Sequence, residues 1–114
     1  MPRRLFRIVK QDPPRLQDFL SHAALGVQPR RPLSSRDLDR WRGVSIYSSR
    51  SAARGKATDS PWLGSYVAEL SLPDNDARLR LEQTGRDREH YTIWAEPALL
   101  LSFVTIVTPV EALH

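Results

Sequence analysis

The chain contains no cysteine, which excludes a disulfide framework, a thiolate metal site and a cysteine nucleophile together. Its five glycines are scattered, so it has no GxGxxG or GxxxxGK[ST] phosphate loop and no GxSxG nucleophile elbow. Long apolar runs are missing too. The longest, Leu99 to Val107, has nine residues and is interrupted by Ser102 and Thr105. A membrane-spanning helix needs about twenty, so no span is expected, and the Phe, Val and Ile content suits a buried strand. The opening MPRRLFRIVK has no apolar signal-peptide core, and a cytoplasmic address is the expectation.

What remains is enough for one domain, residues 1–114, with 40% hydrophobic and 26% charged residues. Lys+Arg outnumber Asp+Glu by 17 to 13, and only Lys10 and Lys56 are lysines. The arginines cluster early, as Arg3, Arg4 and Arg7, Arg30 and Arg31, Arg36, Arg40 and Arg42, then Arg50 and Arg54. Such an asymmetry suits phosphates, of a dinucleotide or of a nucleic acid. The interleaved aromatic and basic residues of known nucleic-acid modules are not found.

Periodicity predicts an α+β fold, with short N-terminal helices packed on a mostly antiparallel sheet. Leu5–Val9 reads as a first strand, closed by Asp12 and two prolines. Leu16, Phe19, Leu20, Ala23 and Ala24 fall on one helical face, with Gly26 as C-cap. Ser34 or Ser35 resembles an N-cap before a short helix with Leu38 and Trp41 inward, stopped at Gly43. Val44–Tyr47 is β-prone, and Ser48 and Ser49 can cap a helix through Ala52, Ala53 and Lys56. A long strand is expected from Trp62 to Leu72, with Tyr66, Ala68, Leu70 and Leu72 on one face and Glu69 on the solvated other. Further strands are expected over residues 78–82 and 90–95. After Pro97 a helical turn precedes a last strand to about Val107.

Three histidines occur, His22, His90 and the terminal His114, none in a metal-ligand pattern with carboxylates. No metal site is expected. Period two places His90, Thr92, Trp94 and Glu96 on a common strand face, where they could wall a polar cleft or serve as edge residues around a core indole. Residues 42–53 form a strand ending in hydroxyls at a helix start, a place that offers donors to an anion or simply caps the helix.

The LFRIV opening strand, the IYSS strand end before an alanine-containing helix, and a late glutamate before the terminal strand resemble the ADP-ribosyltransferase superfamily. The layout over residues 4–107 is also similar to small RES-type NAD-degrading toxins. The resemblance implies an NAD-directed transferase or glycohydrolase with NAD as substrate. Arg7 would grip ribose or phosphate, Tyr47 and Ser48 would pack on nicotinamide with His90 alongside, and the catalytic Glu96 would stabilise the oxocarbenium ion. A toxin of this kind would have a protein partner such as an antitoxin. The chain departs from the pattern in having no ExE pair and no glutamate inside the helix of the second motif. Two other readings stand beside it: a non-catalytic binding or regulatory module of the same fold, and an RNA-binding protein or RNA-directed toxin using the arginine-rich first half.

Overall fold

The computed structural model describes residues 2–112; His114 lies outside them. Its elements are β1 (Arg3–Val9), a 3₁₀ turn (Leu16–Phe19), α1 (Ser35–Trp41), β2 (Val44–Tyr47), α2 (Arg50–Asp59) and a 3₁₀ turn (Pro61–Leu63). Then come β3 (Tyr66–Leu72), β4 (Arg80–Gln83), β5 (His90–Trp94), α3 (Pro97–Ser102), β6 (Val104–Pro109) and a final 3₁₀ turn (Val110–Ala112). The six strands form one sheet in the order β4-β5-β2-β1-β3-β6, and every pairing is antiparallel. The fold is α+β, and no described helix is long and apolar enough to cross a membrane.

Alternation assigns the two faces. Leu5 and Val9 of β1, Val44 and Ile46 of β2, Ala68, Leu70 and Leu72 of β3, and Ile93 of β5 bury one face beneath Phe19 and Leu100. The opposite face carries Phe6, Ile8, Tyr47 and Val67, covered by α2 through Ala53 and Ala57. Those alanines are four apart, so both lie on the helix side toward the sheet, and their small size allows close approach. Ser49 caps α2 by accepting from Ala52 N–H at 3.1 Å. Burial of both faces therefore follows from the spacing of small and large apolar residues.

Several expectations are corrected. The helix over residues 16–24 is only a 3₁₀ turn, with Phe19 buried and Leu16, Ala23 and Ala24 exposed. There the Asp18 carboxylate accepts from the backbone N–H groups of Lys10 and Arg15, at 2.8 and 2.9 Å, and draws the segment back onto β1. Residues 61–63 are a 3₁₀ turn led by Pro61, so β3 begins at Tyr66 and Trp62 is exposed. Leu99–Ser102 is helical, which leaves only Val104 onward for β6. Leu38 is exposed in α1.

Glu69 is the larger surprise. It does lie on the face away from Leu70, but α2 covers that face and Glu69 is only 8% exposed. Arg50 Nη2 reaches its Oε1 at 2.9 Å, and Thr105 Oγ1 its Oε2 at 3.4 Å. A buried carboxylate with a cation and a hydroxyl is what burial of a charge demands.

Candidate functional site

The sheet is two three-stranded halves joined weakly at the centre. β1 pairs with β3 over seven residues, from Arg3↔Leu72 to Val9↔Tyr66, but with β2 only at Phe6↔Tyr47. At that seam the Arg7 guanidinium replaces further backbone pairing. Its Nη1 donates to the Ser45 carbonyl at 2.6 Å and its Nε to the Asp18 carbonyl at 2.8 Å. Desolvation lowers the Arg7 pKa to about 10, against the opposing attractions of Asp18 and Tyr47, so the group stays cationic at neutral pH.

A single row of residues crosses the α2 face at the seam. The registers Ile106↔Glu69, Glu69↔Phe6, Phe6↔Tyr47 and Tyr47↔His90 place one residue from each strand in line. Beyond β4, Thr84 N–H donates to the His90 carbonyl at 3.1 Å and extends the row. Tyr47 and His90 meet edge to face, ring centroids 5.3 Å apart. The His90 ring is held by Thr84, whose carbonyl is 3.0 Å and hydroxyl 3.1 Å from Nδ1, and by Ser45 Oγ, 3.0 Å from Nε2. Buried Thr92 completes the network, its Oγ1 2.7 Å from Thr84 Oγ1.

Acidic groups enter from the loop before β5. Ser48 N–H donates to the Glu89 carbonyl at 2.9 Å, and Ser48 Oγ lies 3.4 Å from Glu89 Oε1. Asp87 accepts from Glu89 N–H at 2.9 Å and braces this turn. Burial first, then the charge of Asp87, raises the Tyr47 pKa above its usual 10, while Arg7 opposes both. Since the folded value is the higher, the neutral phenol supports the fold below pH 10, and that support is lost as pH rises through the raised value. Tyr47 is therefore expected to ionise late in an ultraviolet titration, in a phase that Tyr47→Phe removes. An unchanged high-pH end of the titration in that variant would refute the placement.

The structure thus brings Tyr47 and His90 together on the α2 face of the seam, with Ser48 next in the chain, while Arg7 reaches the seam from the opposite face, that of Leu5 and Val9. It does not bring Glu96 there. Sequence alternation expected Glu96 on the His90 face, but β5 ends at Trp94, and Glu96 is the exposed N-cap of α3 with Pro97 at its first turn. The strand end at Trp94 is itself roughly 13 Å from His90 at ~3.3 Å per residue. Glu96 instead lines a cavity of about 150 Å³ with Arg42, Val44, Ile93 and Phe19, under the opposite face of the sheet. Ser45, Thr84 and Glu89 were not singled out by sequence reasoning. The one available signal was Ser45 at a two-residue spacing from Tyr47, which places both on the same face of β2.

Four of the arginines are engaged by neighbouring side chains. Arg3 lies over Tyr91, Arg50 over Phe6 and Arg80 over Trp94, while Arg40 and Arg80 pair with Asp37 and Asp39. No group of three or more His, Asp or Glu that could hold a metal occurs among the described residues. No family model, curated protein or solved structure matches the chain.

Proposed function

We propose that the chain binds a phosphate-bearing dinucleotide of the NAD type at the seam of its sheet and breaks the bond between nicotinamide and ribose. The observation that carries this reading is the meeting of Tyr47 and His90 where the two half-sheets are joined by one bridge, with Arg7 reaching the Ser45 carbonyl at that seam from the face of Leu5 and Val9. An aromatic pair accommodates a flat heterocycle, and a fixed cation favours phosphate.

Nicotinamide in NAD is a cationic leaving group, so cleavage needs little general-acid help. It needs a held ribose and a carboxylate near the developing oxocarbenium charge. Glu96 lies at the wrong end of β5 for that task. Glu89, which reaches the Ser48 hydroxyl next to Tyr47 in the chain, is the carboxylate this reading assigns to the task. In this reading Arg7 takes phosphate or ribose, Tyr47, Ser48 and His90 position the nicotinamide ribose, and Glu89 supplies the negative charge.

The second reading, a binding module without chemistry, is favoured by one observation: Glu96 is exposed and remote from Tyr47. Calorimetry with NAD and chromatographic assay of nicotinamide separate the two. The enzyme reading expects binding and time-dependent nicotinamide release, both weakened by Tyr47→Ala. Binding without release would replace it with the module, and no binding would refute both.

A further inference from the structure

His90 is held in a specific tautomer. The Thr84 carbonyl, 3.0 Å from Nδ1, can only accept. The neutral ring therefore carries its proton on Nδ1, and Nε2 turns its lone pair to the Ser45 hydroxyl 3.0 Å away. A hydroxyl within reach of a basic nitrogen, whose ring is oriented through its other nitrogen, is the arrangement that activates a nucleophile. Thr84 is itself fixed: it is buried and bonded to Thr92 at 2.7 Å. The ring cannot turn without breaking that network.

Ser45 is anchored from a second direction. Its backbone carbonyl takes the Arg7 Nη1–H at 2.6 Å, yet the residue is exposed. Its hydroxyl is thus held by a base, its backbone by a cation, and its side chain is open to a ligand. Neither Ser48 nor Ser49 has such a partner: Ser48 faces a carboxylate and Ser49 caps α2.

We propose that Ser45 is an acceptor of the group this site transfers, so that the chain modifies itself. This rests on the NAD reading above. The ribose C1′–nitrogen bond breaks and its electron pair leaves with neutral nicotinamide. Ser45 Oγ bonds to C1′, and the Oγ proton passes to His90 Nε2. No oxidant or further reactant is required. The product carries an ADP-ribosyl group on β2 beside Tyr47 and His90, at the place proposed for NAD, and so it blocks further turnover. Release then takes the form of a burst that matches the amount of protein.

The test incubates the intact chain with NAD and follows nicotinamide, intact mass and peptide fragmentation together. Expected is one ADP-ribosyl adduct on Ser45 that appears with the nicotinamide. It is absent from Ser45→Ala and forms about 100-fold more slowly in His90→Gln, as loss of a general base predicts. Nicotinamide released with no adduct on Ser45 in the unaltered chain overturns this assignment and leaves NAD cleavage standing. No nicotinamide at all overturns both.

Discussion

Gly64→Ala is expected to destabilise the fold by about 4 kcal/mol, the sum of overpacking and backbone strain, and to lower the melting midpoint by on the order of 15 °C. Gly64 sits between the 3₁₀ turn at Pro61–Leu63 and β3, with φ +154°. A Cβ there would overlap the carbonyl carbon and oxygen of Val9 and crowd the Ile8 side chain. Neither neighbour can yield cheaply. Val9 closes the β1–β3 ladder opposite Tyr66, and both Val9 and Ile8 are buried. Separation would start at the longest pairing in the sheet. Gly55 provides the opposite case within the same chain. It lies inside α2 with open space where a Cβ would go, so Gly55→Ala should stabilise by roughly 0.5–1 kcal/mol. Denaturant melts of the two variants test both signs at once. An unchanged midpoint for Gly64→Ala would mean that the turn and β1 part freely.

Much of this architecture was legible because alternation is a local signal. Tyr66, Ala68, Leu70 and Leu72 announced their face two residues at a time, and Leu5–Val9 read as a strand from its apolar run. The serine caps were equally local, and Ser34 and Ser49 occupy the positions expected of them. What failed required knowledge of the neighbours. Alternation put Glu69 opposite Leu70, correctly, but could not say that Ala53 and Ala57 of α2 would cover it. Period two was extended one step too far at Glu96, where Pro97 favours a helix start over a continuing strand. The Ser45–His90 contact joins residues 45 positions apart through the β2–β5 register, which nothing short of the folded sheet displays. Glu89, the carboxylate of the proposed site, was missed for the same reason: it acquires its neighbour Ser48 only when the loop before β5 folds against the end of β2.

Glu89→Gln is expected to slow nicotinamide release about 100-fold, in the range lost when one charge-stabilising group is removed, whereas Glu96→Gln should change it less than threefold. The two glutamates bracket β5, one before His90 and one after Trp94, so the pair asks which end of the strand does chemistry. Glutamine preserves the size of Glu89 and an oxygen for Ser48 Oγ, and it removes only the charge. That charge matters most when C1′ becomes cationic, so the loss should fall on the rate of release at saturating NAD and leave the NAD concentration that gives half that rate nearly unchanged. Tyr47→Ala should act differently and raise the NAD concentration needed for half the maximal rate, because an aromatic surface binds ground state and transition state alike. Should Glu96→Gln abolish release while Glu89→Gln leaves it intact, the reacting ribose must lie on the other face, in the cavity shared by Glu96 and Arg42. Tyr47, His90 and Ser45 would then belong to the packing of the seam, and Arg7 would remain there only as the link between the two half-sheets.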